Sequence, residues 1–263
     1  MGILNVTPDS FSDGGEWFGL QDAVAHARAL AAEGADLVDV GGESTRPGAH
    51  GVGEEEELRR VVPVIEALAG DLPAVLSIDT SKAAVARAAL AAGAAFVNDV
   101  TALRGDPAMA AVVAEAGCEC CLMHMLGEPR TMQRDPRYGD VVDDVRAFLE
   151  ERTAFAVAAG VRPARIHVDP GIGFGKTATH NLELLRRLDE IAALGFPVVI
   201  GTSRKSFLGR LTGRDDPHDR VAATVATSVL AYERGARVFR VHDVAATADA
   251  LKVTAATLPG DAA

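Results

Sequence analysis

The sequence predicts a single α/β domain, residues 1–263, of the (β/α)8 TIM-barrel class, and three observations support this. Eight short runs rich in β-branched residues alternate with Ala-rich segments of helical periodicity. The short runs are continuously apolar, which is typical of parallel strands covered by helices. The chain of 263 residues has the usual length of one such barrel, and no linker or low-complexity stretch divides it.

The predicted elements alternate along the whole chain. Strands are predicted at residues 3–6, 37–40, 75–78, 96–100, 121–123, 166–168, 198–200 and 238–241. Helices are predicted at residues 22–32, 58–68, 83–90, 141–158, 182–192 and 221–232. Gly34, Gly93 and Gly235 follow helices just before a strand, as C-cap residues of short connections do. The acidic run 54–57 is interpreted as a first helical turn, where negative charge suits the helix dipole.

An open doubly wound sheet is the other fold that suits parallel strands with covering helices. A dinucleotide-binding sheet carries G-x-G-x-x-G directly after its first strand, whereas residues 7–15 read TPDSFSDGG. Eight strand–helix units also favour the barrel. Polar and glycine-rich residues cluster in the segments that follow the strands, where a barrel builds its active site.

Composition excludes several classes of partner. The 26 Lys and Arg against 37 Asp and Glu give a net charge of −11, which argues against binding to nucleic acid or to an acidic membrane. No N-terminal basic stretch leads into an apolar segment, and no apolar run approaches membrane-spanning length, so we expect a cytoplasmic protein. Cys118, Cys120 and Cys121 lie within one apolar run and are interpreted as free thiols rather than metal ligands.

Two loops carry a family resemblance. Residues 1–15 (MGILNVTPDSFSDGG) and 41–48 (GGESTRPG) resemble the two signature motifs of the dihydropteroate synthases. The resemblance continues through 77–80 (SIDT), 98–100 (NDV), 122–124 (LMH), 169–176 (DPGIGFGK), 202–207 (TSRKSF) and 240–243 (RVHD), and so covers essentially the whole chain. Members of the family usually carry several residues ahead of the first motif, and a truncated or misassigned start would explain why this chain opens on it.

The resemblance implies an activity, a cofactor and an assembly. The family joins 6-hydroxymethyl-7,8-dihydropterin diphosphate to p-aminobenzoate, which gives 7,8-dihydropteroate and diphosphate on the route to folate. It also implies Mg2+ as the cofactor and a homodimer. Departure of diphosphate would leave a cation delocalised into the pterin ring, so the enzyme would chiefly position its substrates and stabilise charge.

The resemblance also implies a set of pterin contacts. Asp169 resembles the carboxylate that anchors the pterin, whose 2-amino-pyrimidinone edge offers adjacent donors. Asp79 and Asn98 would contact further ring nitrogens, and Asp79 would stabilise the cation. The competing interpretation is that Asp79 and Asn98 only cap the helices that follow them.

Further residues are assigned to the leaving group and to the second substrate. Arg240 and His242 alternate at the end of the eighth strand, so both can face the barrel axis. By resemblance they hold the diphosphate together with Asn5, which would also be the Mg2+ ligand. Lys205 would lie against the pterin, and Ser206 would meet the carboxylate of p-aminobenzoate. The loops that close over the aminobenzoate ring would carry Phe174, Thr45, Arg46 and Pro47. The predicted catalytic residues are Asp79, Lys205, Arg240, His242 and Arg46.

Other functions remain open from the sequence alone. A folate-binding methyltransferase of related architecture would share Asp79, Asn98 and Asp169. A paired-carboxylate hydrolase would use Asp79 and Asp169. A catalytically inactive pterin-binding paralogue would keep the fold without turnover. His124 is equally consistent with a structural role and with one near the site.

Overall fold

Eight parallel strands pair in chain order in the computed structural model of the protein, which describes residues 1–6, 16–45, 51–128 and 130–258. The strands are β1 Gly2–Asn5, β2 Leu37–Gly41, β3 Val75–Asp79, β4 Phe96–Asp99, β5 Glu119–Met123, β6 Ile166–Asp169, β7 Val198–Ile200 and β8 Ala236–Phe239. The helices are α1 Glu16–Ala32, α2 Glu54–Leu68, α3 Ala83–Ala92, α4 Met109–Ala116, α5 Val141–Ala158, α6 Ala178–Arg186, α7 Leu188–Ala192, α8 Ser206–Thr212, α9 Val221–Glu233 and α10 Val244–Thr257. Short 3-10 helices cover Pro163–Arg165 and Pro217–Arg220.

The curvature of the sheet brings its two ends together. The Val241 amide donates a hydrogen bond of 2.9 Å to the Met1 carbonyl, and the Ile3 amide donates one of 3.0 Å to the Val241 carbonyl. Gly2 and Val241 form a parallel bridge. The architecture is therefore TIM-barrel-like, with the helices outside the sheet.

Because side chains alternate along each strand, buried strand residues pack in two different clusters. Successive side chains point to opposite faces of a sheet, so alternate strand residues pack in different clusters. Val38, Val40 and Ile78 belong to the large cluster that includes the helices. A separate small cluster contains Met1, Phe96, Cys121 and Val199. Asn98 lies two residues beyond Phe96, so polar groups on this second face are carried at the C-terminal ends of the strands.

The predicted strands are all confirmed, with ends shifted by one or two residues. The predicted helix 182–192 is wrong as one element, because Arg187 adopts φ −111° and ψ 31° and separates α6 from α7. α4 and α10 lie outside the predicted helices, and the eight residues of α4 are too few for clear periodicity. Gly34, Gly93 and Gly235 all have positive φ, which confirms the C-cap prediction.

Two expectations from composition also have structural outcomes. All three cysteines are buried and free, as predicted. Burial raises the pKa of the Cys120 thiol to about 12, so it stays protonated at neutral pH. Within the described ranges, no helix is long and apolar enough to cross a membrane.

Candidate active site

Polar side chains gather at the C-terminal ends of the strands. Asn5, Asp79 and Asp169 are the last residues of β1, β3 and β6, and Asn98 is the penultimate residue of β4. Lys205 and Arg240 follow β7 and β8. Because all strands are parallel, these ends lie on one side of the sheet. Asp79, Asn98 and Asp169 are each less than a tenth exposed.

The buried carboxylate of Asp39 on β2 bonds to side chains from β3, β4 and the loop after β8. Asp39, in the middle of β2, is fully buried and accepts hydrogen bonds from Ser77 Oγ at 2.5 Å, Asn98 Nδ2 at 2.9 Å and Arg240 Nε at 2.6 Å. Arg240 also donates from Nη2 to Asp79 Oδ2 at 2.8 Å. Three predicted site residues, Asp79, Asn98 and Arg240, thus form one network.

The same contacts rule out the capping interpretation of Asp79 and Asn98. Helix α3 has Lys82 at its N-cap and no side-chain cap hydrogen bond. Asp79 instead bonds to Arg240, and Asn98 bonds to Asp39. Both side chains therefore belong to the polar network.

Burial and charge set the protonation behaviour of this network. Burial raises the pKa of Asp79 to about 7 against the attraction of Arg240, and Asp39, Glu57 and Asp99 raise it further. Burial also opposes the Arg240 cation, but Asp39 and Asp79 outweigh it and raise the Arg240 pKa above its ordinary value. The site therefore holds a permanent cation between carboxylates, one of which titrates near neutral pH.

Lys205 and Asp169 form a second charged group. Burial raises the pKa of Asp169 and lowers that of Lys205 to about 8, while the attraction between them opposes both shifts. Lys205 Nζ donates to the Ile172 carbonyl and lies 4.8 Å from the ring centroid of Phe174. The Gly171 amide donates to Asp169 Oδ1 at 2.6 Å. Three predicted residues, Asp169, Phe174 and Lys205, thus lie together.

His242 lies on the loop after β8, where the sequence predicts it. Its Nδ1 is 2.9 Å from Ser203 Oγ, and its backbone amide donates to the same oxygen at 3.1 Å. Ser203 therefore contacts both the imidazole and the backbone of His242.

His124 is buried beside a second lysine. Lys176 Nζ lies 2.8 Å from His124 Nδ1 and donates to the Phe174 carbonyl at 3.0 Å, and the lysine is 2% exposed. Burial and the nearby Lys176 lower the pKa of His124 to about 2, so the imidazole is neutral. Its ring also packs edge-on against Phe148, with centroids 4.8 Å apart. These contacts favour the structural interpretation of His124.

Of the remaining predicted residues, three lie within the described part of the chain and two lie outside it. Asn5 and Thr45 are half-buried, and Ser206 is the exposed first residue of α8. None of these three side chains makes a hydrogen bond within the described part of the chain. Arg46 and Pro47 lie outside the described residues.

Three residues that contact the site were not predicted from the sequence: Asp39, Lys176 and Ser203. A carboxylate inside an otherwise apolar strand, as in LVDVG, costs several kcal/mol to bury unless it is paired, and this was the available signal for Asp39. Lys176 and Ser203 lie inside quoted motifs, but nothing in the residue pattern distinguishes them from surface side chains.

Comparisons with known proteins identify the family of the chain. The family described as Pterin binding enzyme matches residues 1–242. The dihydropteroate synthase of Synechocystis sp. is 48% identical over 253 residues, 96% of this chain and 88% of the relative. The structure of Xanthomonas albilineans dihydropteroate synthase with 4-aminobenzoic acid is 53% identical, with a TM-score of 0.92 over 98% of this chain and 92% of the other. The same enzyme in complex with 7,8-dihydropteroate is 50% identical, with a TM-score of 0.88 over 98% and 92% of the chains. The chain therefore belongs to the pterin-binding enzymes and, within them, to the dihydropteroate synthases.

Proposed function

We propose that this chain condenses 6-hydroxymethyl-7,8-dihydropterin diphosphate with p-aminobenzoate, forming 7,8-dihydropteroate and diphosphate. The observation that carries the proposal is the joining of Asp79, Asn98 and Arg240 into one buried network beside Asp169 and Lys205. Relatives that are about half identical over nearly the whole chain carry this activity in their names, and the structure of one is in complex with 7,8-dihydropteroate. Nothing in the site or the comparisons favours an inactive paralogue.

The pterin would be recognised by complementary hydrogen bonds. Asp169 offers carboxylate oxygens to the adjacent donors of the pyrimidinone edge, and Asn98 and Asp79 would satisfy further ring nitrogens. Lys205, beside Asp169, would donate to an acceptor of the ring. A buried site that pairs such groups discriminates strongly against analogues that lack them.

The reaction would proceed by displacement at the pterin methylene carbon. The carbon–oxygen bond to diphosphate breaks, and the leaving group keeps the electron pair. The aniline nitrogen then bonds to the carbon and loses a proton. Asp79 would stabilise the developing cation, whereas Arg240 and His242 would stabilise the departing diphosphate. The reaction needs no side-chain nucleophile.

Mg2+ would supply charge neutralisation for the diphosphate. Mg2+ favours oxygen ligands and usually keeps several waters, using few protein ligands plus the phosphates of a substrate. Asn5 fits this pattern, because its half-buried side-chain amide at the end of β1 makes no hydrogen bond within the described residues. No cluster of three His, Cys, Asp or Glu side chains suited to a metal occurs in that part of the chain. We therefore assign Asn5 as the protein ligand.

The aminobenzoate would bind next to the pterin. Phe174, beside Lys205, would pack against its ring, and Ser206 would donate to its carboxylate. Thr45, Arg46 and Pro47 would close over the ring from the second loop and exclude water from the reacting atoms.

The decisive experiment mixes the purified protein with the pterin diphosphate, Mg2+ and p-aminobenzoate, and follows both products. We expect dihydropteroate and diphosphate to appear in equal amounts. Arg240→Ala should keep affinity for 6-hydroxymethyl-7,8-dihydropterin but lose the added affinity that the diphosphate provides. Pterin binding without either product would instead support an inactive paralogue.

Four further features complete the proposal. The hydrogen bonds between Val241 and the first strand support closure of the sheet into a single barrel domain. We infer a homodimer and a cytoplasmic location from the family, with small-molecule substrates and neither nucleic acid nor membrane as partner. Size-exclusion chromatography with light scattering measures the mass of the protein in solution and so tests the dimer. A mass equal to that of one chain would contradict it.

A further inference from the structure

Asp39 lies where it can orient two substrate-binding groups without touching either substrate. It is fully enclosed in the middle of β2, two residues before the strand ends at Gly41. A buried carboxylate with no partner is strongly unfavourable, and Asp39 has three partners, from β3, β4 and the loop after β8.

The first consequence concerns the amide of Asn98. Asn98 donates from Nδ2 to Asp39 Oδ2 at 2.9 Å, so the nitrogen of its side-chain amide faces Asp39. The carbonyl oxygen of the Asn98 side chain is thereby turned away from Asp39. Asn98 can therefore offer an acceptor to a ring N–H of the ligand.

The second consequence concerns the guanidinium of Arg240. Its Nε and Nη2 are held by Asp39 and Asp79 at 2.6 and 2.8 Å, so one edge of the planar group is fixed. Nη1 remains at the opposite side and can donate to an anionic group. The same Asp39 oxygen, Oδ2, accepts from both Asn98 and Arg240, which couples the two orientations.

We propose that Asp39 is a positioning residue, which sets the amide orientation of Asn98 and the guanidinium orientation of Arg240 and thereby aligns the pterin-binding and diphosphate-binding groups. The inference rests on the proposed function and assigns a role to a residue that does not contact substrate.

The test is Asp39→Asn, which keeps the shape but replaces one acceptor oxygen with a donor. Ser77 can accept from the new amide nitrogen, so Asn98 and Arg240 still share one oxygen, but a neutral amide oxygen is a weaker acceptor for the Arg240 cation than a carboxylate. We expect the KM for pterin diphosphate to rise about tenfold or more, because the hydrogen bonds that hold Arg240 and Asn98 in place are weakened. The KM for p-aminobenzoate should change by less than about twofold, since no Asp39 partner is assigned to it. Calorimetry with 6-hydroxymethyl-7,8-dihydropterin alone and with inorganic diphosphate alone should show weaker binding of both.

Glu119→Gln is the matched control. Glu119 also lies in a strand and bonds to His167 and Arg165, but it touches no predicted site residue. This variant should keep both KM values. Equal changes in Glu119→Gln and Asp39→Asn would overturn the inference, because they would indicate a general effect of removing a strand carboxylate.

Ser77→Ala provides a milder variant in case Asp39→Asn does not fold. It removes only the 2.5 Å hydrogen bond to Asp39 Oδ1. We expect the KM for pterin diphosphate to rise by about two- to fivefold, again with p-aminobenzoate unaffected. An unchanged pterin KM in every folded variant would overturn the role of Asp39. Absence of turnover by the unaltered protein would instead contradict the proposed function itself.

Discussion

At the scale of single residues, the site depends on charged groups that titrate within the physiological range. Asp79 has a pKa raised to about 7, and Lys205 has one lowered to about 8, both chiefly by burial. Asp79 is ionised above its pKa and Lys205 is protonated below its own. The form with both charges is therefore most populated between the two values.

This predicts a bell-shaped dependence of kcat/KM for pterin diphosphate on pH. Activity should rise as Asp79 ionises towards pH 7 and fall as Lys205 loses its proton above pH 8. Initial rates measured from about pH 5.5 to about pH 9.5, roughly 1.5 units beyond each pKa, would reveal both limbs. A flat profile would contradict the assignment of these two groups.

Lys205→Arg tests the alkaline limb separately. Arginine keeps the charge throughout this range, so the fall above pH 8 should disappear even if the rate is lower. An alkaline limb that persists in Lys205→Arg would have to belong to another group.

At the scale of elements, the backbone of the loop after β6 lies very close to the backbone of His124, which follows β5. Gly171 has φ +69°, and a Cβ added there would lie 1.8 Å from the His124 carbonyl oxygen. That distance requires the loop or the end of β5 to move. The same loop follows Asp169 and carries Phe174 and Lys176.

Gly171→Ala should therefore be severely destabilising, and Gly213→Ala provides a control with the same φ of +69° and no atom within 4 Å of an added Cβ. We expect Gly213→Ala to cost roughly 1 kcal/mol from the left-handed backbone alone. Gly171→Ala should cost about 3 kcal/mol or more, because it adds a steric clash. Urea unfolding measures both, and equal losses would show that the clash is relieved without cost.

A buried ion pair connects the second loop to α2 and α3. Lys82 Nζ donates to Glu57, which is fully buried, and to Glu43 at 2.5 Å. Among the described residues, Glu57 Oε1 has no hydrogen-bond partner, and Lys82 is the cation that bonds to this carboxylate through Oε2. Glu43 lies two residues before Thr45, which places this contact at the base of the loop.

Lys82→Met should lower the free energy of unfolding by roughly 2 to 3 kcal/mol, because it leaves Glu57 buried without a cation. It should also raise the KM for p-aminobenzoate more than that for the pterin, since the second loop is assigned to the former. The control is Arg87→Met. Arg87 and its partner Glu115 are 62% and 65% exposed, so this variant should lose less than about 0.5 kcal/mol of the free energy of unfolding. Similar losses in both variants would contradict the role of burial.

At the scale of the whole molecule, the contact between β1 and the end of β8 decides whether the sheet has free edges. Ile3 and Val241 donate their amides across this contact at 3.0 and 2.9 Å. A closed sheet has no edge strands, so these amides should exchange as slowly as those of central strands.

Hydrogen exchange measured residue by residue tests closure. Protection of the Ile3 and Val241 amides should match that of Val97 and Cys120, which pair between β4 and β5. Exchange at Ile3 and Val241 that is faster by orders of magnitude would indicate a sheet that opens at this contact.

The sequence by itself determined the eight strands and the family, because both are recorded in local patterns. Short apolar runs between helical segments locate the strands, and motif residues such as Asp169 and Arg240 follow them directly. The split at Arg187, the short α4 and α10 were not predicted, since a single non-helical residue leaves the apolar period of 182–192 almost unchanged and eight residues give too little of it.

Only the tertiary structure decided which of these residues act together. The partners of Asp39 come from residues 77, 98 and 240, and no sequence spacing indicates that their side chains converge. The pKa shifts of Asp79 and Lys205 likewise arise from burial, which depends on the whole sheet and its helices. A strand pattern specifies where a side chain is attached, whereas hydrogen-bond partners and solvent exclusion exist only once distant strands have paired.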